Sequence, residues 1–166
     1  MLKLSAAAAA AMRAHAEEGY PLEICGFLVG EAAGDTCVAR EAWPVRNTWE
    51  EDPEQRAAMA AALEAAGGAA TAEGWESASS ERRFLVSPQD FLKSEKRARA
   101  AGMSVVGLYH THPEHPAVPS DFDRDAAWPE WSYVILSVRG GAVAELRSAV
   151  LDEAERRFSG GIVEEG

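Results

Sequence analysis

The chain has 166 residues, of which 47% are hydrophobic and 26% are charged. This size and balance are typical of a soluble globular protein, so we expect a single domain over residues 1–166. The formal net charge of −11 repels polyanions, so nucleic acid is not expected as a ligand.

The N-terminal segment predicts a helix. Residues 4–18 are rich in strong helix formers, and Gly19 and Pro21 provide a stop of the expected kind. The alanine run 6–11 resembles the apolar part of a signal peptide, but charged residues follow at once and no apolar stretch reaches membrane-spanning length. We therefore expect a cytoplasmic protein that does not bind membranes.

A β-hairpin is predicted next. Residues 24–29 are a short apolar run, residues 37–45 mix β-branched and aromatic residues, and a turn is expected between the two at residues 33–35. The two cysteines are too few for a disulfide framework or a cysteine-built zinc site, which fits a reducing compartment. Cys25 lies in the first apolar run and is expected to be buried, with a role as nucleophile as the weaker alternative.

Residues 50–80 differ in character from the rest of the chain and predict an insertion. A helical stretch follows Pro53 and runs to Ala66, and a segment rich in Ser, Gly and Glu comes after it. We favour a passive surface excursion over a mobile flap that covers a site.

The central part of the chain alternates between strand and helix patterns. Residues 82–86 predict a strand, and Ser87 is the expected N-cap of a helix that runs to Ala101. Residues 103–110 form a short, β-branched apolar run, which predicts a buried strand.

Ser120 is the expected start of a short helix, and residues 131–138 and 143–150 predict strands joined by a tight glycine turn at 140–141. The residues after these strands are polar, and Gly160 and Gly161 are expected to lie in a flexible end. This order of elements predicts an α/β chain of the α+β type, with a mixed, largely antiparallel sheet flanked by helices.

Side chains that can bind metal ions concentrate in residues 110–123. His110 and His112 are two residues apart on a strand, so both imidazoles project to one side and can bind the same ion. Asp123 follows a proline-rich loop and lies in the first turn of the helix that Ser120 begins. Two histidines and a carboxylate are three protein ligands, the number typical of a catalytic zinc that keeps a fourth position for water.

Each half of this pattern also has a purely structural interpretation. Ser120 and Asp123 fit a capping box, and a histidine pair can be the polar end of a strand. The combined spacing of His, one residue, His, seven residues, Ser, two residues and Asp is expected by chance on the order of once in several thousand chains. We therefore favour a metal site.

This spacing resembles the JAMM motif of the MPN+ zinc metalloproteases, in which a glutamate precedes the motif far upstream. Residues 21–30 (PLEICGFLVG) resemble the family segment in which that glutamate opens the first strand after the first helix. The resemblance extends from the first helix to the strand after the motif. It implies the JAMM/MPN fold, which is of the cytidine-deaminase-like type.

The resemblance also implies a role for each matching residue. It implies that His110, His112 and Asp123 bind Zn²⁺, that Glu23 is the general base, and that Ser120 helps to stabilise the oxyanion. These roles are chemically consistent, since hydrolysis of a peptide bond requires an activated water, a proton acceptor and a donor to the developing charge.

Compact relatives of this type imply a ubiquitin-like or sulfur-carrier protein as the substrate, cleaved after its Gly-Gly tail. Both a peptide bond and an isopeptide bond fit this expectation. The substrate tail is expected to add as an extended strand to an exposed sheet edge beside His110 and His112, with small residues before the cut.

Two other functions remain open. A non-catalytic MPN module would serve as a scaffold in a larger assembly, although members of that kind lack the ligands present here. An iron oxygenase also uses two histidines and one carboxylate, normally in a different chain order. His115 lies in the same loop but matches no ligand position of the family, so we expect it to be near the metal or on the surface.

Overall fold

The structure, a computed structural model, describes residues 1–67, 79–152, 154, 157–161 and 163–166. Residues 68–78 of the predicted insertion lie outside this range. The helices are α1 (Ala6–Gly19), α2 (Pro53–Ala65), α3 (Pro88–Ala100) and α4 (Asp121–Ala126). The strands are β1 (Leu2–Leu4), β2 (Cys25–Ala33), β3 (Thr36–Val45), β4 (Ser104–Pro113), β5 (Ser132–Arg139), β6 (Ala142–Asp152), β7 (Arg157–Gly161) and β8 (Val163–Glu165).

The strands form a single sheet with the order β7-β6-β5-β4-β2-β3-β1-β8. Among the described residues, four of its seven strand pairings are antiparallel and three are parallel. The expected mixed, largely antiparallel sheet is thus confirmed. β4 lies inside the sheet between β2 and β5. Its C-terminal end therefore lies beside the start of β2, which is antiparallel to it, and beside the C-terminal end of β5, which is parallel to it.

Helices pack on both faces of the sheet. Neighbouring residues of a strand point to opposite faces, so one strand contributes side chains to the core on each side. Leu28 packs on one side with Met12 of α1 in the largest core cluster. Phe27 packs on the other side with Ala98 of α3. The two helices therefore fix the sheet from opposite sides.

A smaller apolar cluster lies beside the C-terminal end of β4. It joins Leu63 of α2 and Phe122 of α4 to Trp49 and Leu85. The predicted helix after Pro53 is confirmed as α2, and the Asp52 side chain caps it by accepting from the Gln55 N–H at 2.9 Å. This cluster holds α4 close to the sheet.

The expected hairpin, helix α3 and glycine turn are also confirmed. The Ser87 side chain caps α3 by accepting from the Asp90 N–H at 3.1 Å. Gly140 and Gly141 both adopt positive φ angles, 56° and 85°, which glycine adopts without strain. No helix of the described residues is long and apolar enough to cross a lipid bilayer.

The strand predicted for residues 82–86 is wrong, because this segment belongs to no strand. Its backbone groups form hydrogen bonds with Asn47 and Thr48, which lie outside the strands, instead of with a neighbouring strand. The Leu85 N–H donates to Asn47 Oδ1 at 3.1 Å, and the Leu85 carbonyl accepts from the Thr48 N–H at 2.9 Å. Such long-range partners leave no periodic signal in the sequence.

The expectation of a flexible C-terminal end is also wrong. Gly160 and Gly161 lie in β7, which pairs with β6, and β8 pairs with β1. β1 itself was not predicted, because the helix was expected to begin at residue 4. Ser5 caps α1, and Leu2 and Leu4 are buried.

In the described part of the chain, β4 itself has no free edge at the two histidines, and the expected addition of a substrate strand to an exposed sheet edge near them stays a prediction. β4 pairs with β2 up to His110 and with β5 up to Pro113. The outer strands of the described sheet are β7 and β8.

Candidate metal centre

The C-terminal end of β4 presents His110 and His112 on one side of the sheet. Their Nε2 atoms lie 3.1 Å apart, and both side chains are buried. Asp123 comes to the same point from α4, with Oδ1 3.2 Å from His110 Nε2 and Oδ2 3.5 Å from His112 Nε2. One ligand atom from each residue lies within 4.8 Å of the others, so this group could hold a metal ion.

Ser120 orients the Asp123 carboxylate. The Ser120 Oγ accepts from the Asp123 N–H at 3.2 Å, while the Ser120 N–H and hydroxyl each donate to Asp123 Oδ2 at 2.7 Å. These contacts complete a capping box at the start of α4. They hold Oδ2 and leave Oδ1 directed towards His110.

Contacts with neighbouring residues fix the orientation of the two histidine rings. His112 Nδ1 lies 2.9 Å from the Pro116 carbonyl oxygen. Because a carbonyl only accepts hydrogen bonds, Nδ1 carries the proton and Nε2 of the neutral ring keeps its lone pair for a metal. The His110 ring stacks on Phe84 with a centroid distance of 4.7 Å, and its Nδ1 has no partner among the described residues.

The electrostatics of the group fit a bound cation. Burial acts to raise the pKa of Asp123, but His110 and His112 outweigh it and hold that pKa well below the usual range. Burial acts to lower the pKa of His112, but its hydrogen bond to Asp123 outweighs this and raises it. The two imidazoles thus stabilise the buried carboxylate as an anion, a task that a divalent cation performs directly. Two nitrogens and one oxygen are a donor set that suits zinc.

Glu23 faces the same site because β2 runs antiparallel to β4. Cys25 is paired with His110, so the continued register places Glu23 opposite His112. The Glu23 side chain is 7% exposed, and burial raises its pKa to about 8. It lines a cavity of about 220 Å³ together with His112, Ser120 and Asp123.

Asn47 connects the segments around this cavity and was not identified from the sequence. Its Nδ2 donates to the carbonyls of Glu23 and Arg83, each at 2.9 Å. Its Oδ1 accepts from the N–H groups of Trp49 and Leu85 at 3.0 and 3.1 Å. An isolated asparagine in a loop gives no sequence signal for such a role.

The structure brings all five predicted site residues into one region. Their individual roles remain predictions. His115 also lines the cavity but lies outside the group of three potential ligands. The sequence interpretation missed Arg82 and Arg83, which line the cavity, and Phe84, which supports His110.

Cys25 and the tryptophans are not part of the group that could hold a metal ion. Cys25 is fully buried, and burial raises the pKa of its thiol, which opposes a role as nucleophile. Trp43 and Trp49 are buried in the core. Trp128 is 53% exposed and borders an apolar cavity that His110 and Asp123 also line.

Comparison with known proteins matches the chain to a family described as prokaryotic homologs of the JAB domain, over residues 5–152. This range includes every residue of the candidate site. The chain is 32% identical over 148 residues to Desampylase of Haloferax volcanii, covering 86% of this chain and 85% of that protein. It is 38% identical over 58 residues to "Probable TtuB-protein conjugate cleaving protease" of Thermus thermophilus, covering 34% of this chain and 38% of that protein.

The fold is also similar to that of a solved structure. AF2198, a JAB1/MPN domain protein from Archaeoglobus fulgidus, superposes with a TM-score of 0.53 at 14% identity. The superposition covers 98% of this chain and 97% of that chain. At this identity the likeness concerns the fold alone, and it agrees with the fold implied by the sequence motif.

The raised pKa of Glu23 predicts a pH-dependent stability in the metal-free protein. Glu23 has a pKa of about 8 when folded, against an ordinary value of 4.5. The folded state therefore holds this proton more tightly, and its stabilising effect is lost as the pH rises through that window. Glu23→Gln mimics the protonated form, so the variant should gain stability relative to wild type between about pH 5 and about pH 9.

The measurement is urea unfolding of both proteins in the presence of a chelator at several pH values. Equal unfolding free energies at low pH and a growing advantage of the variant at high pH are expected. A difference between the two proteins that does not change with pH would contradict the burial of an ionisable Glu23.

Proposed function

The chain belongs to the prokaryotic JAB family, and from this premise we propose that it is a zinc-dependent isopeptidase or peptidase of the JAMM type. The family likeness confirms the resemblance noted in the sequence and the class of enzyme. The proposed substrate is a ubiquitin-like or sulfur-carrier protein, hydrolysed at the bond that follows its Gly-Gly tail.

The names of the relatives support this choice of substrate. One relative is named a desampylase, and the other a protease that cleaves TtuB-protein conjugates. A protease that cleaves conjugates acts on a covalent link between two proteins. This favours the isopeptide bond of the two bond types left open by the sequence.

One observation carries the proposal: the convergence of His110 Nε2, His112 Nε2 and Asp123 Oδ1 beside the cavity that Glu23 lines. Three protein ligands leave a position open to this cavity, as in catalytic zinc sites. A structural zinc site would be closed by four protein ligands.

Zinc, when bound, supplies Lewis-acid chemistry that lowers the pKa of a water molecule and polarises the scissile carbonyl. The Glu23 carboxylate accepts the proton of the attacking water and returns it to the leaving amine. Burial raises the pKa of Glu23 to about 8 in the metal-free protein, and the positive charge of a bound zinc would lower it towards neutrality, where a carboxylate both accepts and releases a proton readily.

Ser120 has two possible duties in this scheme. Its hydroxyl already donates to Asp123 Oδ2 and caps α4, which makes it a positioning residue for a ligand. As an oxyanion donor, the hydroxyl must turn from Asp123 to the substrate, while the Ser120 N–H keeps its bond to the carboxylate.

The alternative functions receive less support. A non-catalytic scaffold would not require the buried carboxylate of Glu23, which costs stability when it ionises. An iron oxygenase is disfavoured because the family match concerns JAB domains.

Metal analysis provides the first test of the proposal. Purified protein should bind about one zinc per chain, since three ligands and a water complete one tetrahedral site. The double variant His110→Ala, His112→Ala should bind none, whereas His115→Ala is the matched control and should bind as much as wild type. Full zinc retention by the double variant would contradict the assignment.

Glu23→Gln should abolish turnover and retain both fold and zinc, because the general base lies beside the metal and does not coordinate it. The expected loss in kcat is on the order of 10²–10⁴-fold. Activity, zinc content and the thermal midpoint are measured on the same preparation. A loss of zinc in proportion to activity would identify Glu23 as a ligand.

Cleavage should depend on glycine before the scissile bond. Glycine lets the backbone approach the metal without a side chain to exclude, and the cavity of about 220 Å³ is small. Carriers that end in Gly-Gly plus a few residues should be cleaved, and Ala-Ala versions should resist. Equal cleavage of both versions would contradict a requirement for Gly-Gly and would indicate a zinc peptidase without this specificity.

A further inference from the structure

Two adjacent arginines border the candidate site. Arg82 and Arg83 line the same cavity as Glu23 and His112. Arg82 is exposed and Arg83 is half-buried. The pair adds positive charge to the entrance of this cavity, on a chain whose net charge is −11.

The backbone that carries the arginines is fixed on both sides. The Ser80 N–H donates to Glu50 Oε1 at 2.8 Å, and the Ser80 carbonyl accepts from the Glu23 N–H at 2.7 Å. The Arg83 carbonyl accepts from Asn47 Nδ2 at 2.9 Å. The same hydrogen-bond network therefore sets the positions of the two arginines and of Glu23.

Arg83 is also held through its side chain. Its Nη1 donates to the Arg82 carbonyl at 2.7 Å, and its guanidinium lies 5.4 Å from the centroid of the Phe122 ring. These contacts use only part of the five N–H donors of a guanidinium. The remaining donors are available to a ligand in the cavity.

Neither arginine forms an ion pair with a carboxylate among the described residues. Five other arginines, Arg40, Arg46, Arg99, Arg124 and Arg147, each contact a Glu or Asp, whereas Arg56, Arg97 and Arg139 form no ion pair among the described residues either. Arg82 and Arg83 differ from these three in lining the cavity of the candidate site, where both also interact through their charge with the Glu23 carboxylate. Because no carboxylate is hydrogen-bonded to them among the described residues, they can bind an external anion at this point. Their planar forks bind carboxylates with two parallel hydrogen bonds.

We propose that Arg82 and Arg83 form a recognition site for acidic side chains of the substrate protein, located close to its Gly-Gly tail. This inference rests on the proposed function and names the surface chemistry of the substrate. The negative charge of the rest of the chain repels an acidic partner, so attraction is confined to this point and helps to place the tail at the metal site.

The test is a double-mutant cycle on binding, which does not depend on turnover. The acidic carrier has Asp or Glu in the residues just before Gly-Gly, and the amide carrier has Asn or Gln there. The zinc-loaded Glu23→Gln variant binds each carrier in a calorimeter, with and without Arg82→Gln plus Arg83→Gln. Lys96→Gln is the control, because Lys96 is exposed on α3, away from the cavity.

The acidic carrier should bind about tenfold more tightly than the amide carrier, and the preference should disappear in the double arginine variant but persist in Lys96→Gln. Added salt should weaken only the preference that depends on the arginines. Unchanged thermal midpoints would show that the variants remain folded.

Equal binding of the two carriers, or a preference that survives the double arginine substitution, would overturn the inference. Cleavage by the wild-type enzyme separates this failure from that of the proposed function. If both carriers are cleaved with the same kcat/KM, the proposed function stands and the arginine site falls. If neither carrier is bound or cleaved, both proposals fall.

Discussion

The antiparallel pairing of β2 with β4 is the constraint on which the candidate site depends. Cys25 pairs with His110, and one residue further the Ile24 N–H donates to Thr111 Oγ1 at 3.0 Å while the Thr111 N–H donates to the Ile24 carbonyl at 3.1 Å. This register places the Glu23 carboxylate opposite His112. A slip by one residue would turn Glu23 to the other face of the sheet, so the pairing fixes where the base lies relative to the metal ligands.

The two buried carboxyl groups of the site, those of Asp123 and Glu23, have pKa values that are shifted in opposite directions. Asp123 is stabilised as an anion by the two imidazoles and by the donors of Ser120, as a metal ligand must be. Among the described residues no hydrogen-bond donor contacts the Glu23 side chain, and burial raises its pKa to about 8. Divergent pKa values of neighbouring carboxyl groups are a common basis for separating a ligand or stabiliser from an acid–base catalyst. The cavity thus supports different duties for the two groups.

The sequence predicted those parts of the structure that depend on local patterns. The longer strands, the caps of α3 and α4, and the spacing of His110, His112 and Asp123 are all visible within short windows of the chain. The irregular path of residues 82–86 is not, because it depends on hydrogen bonds of Arg83 and Leu85 to Asn47, which lies 36 and 38 residues upstream of them. The three-residue strands β1 and β8 are too short for a periodic signal and exist only as partners of other strands.

The central claim is that His110, His112 and Asp123 bind one zinc ion in an open site. The most direct measurement is anomalous diffraction at the zinc absorption edge from crystals of the zinc-loaded protein. The account predicts a single peak at about 2.0–2.2 Å from His110 Nε2, His112 Nε2 and Asp123 Oδ1, with the fourth position directed into the cavity beside Glu23. A peak bound by other residues, or direct coordination by the Glu23 carboxylate, would contradict it.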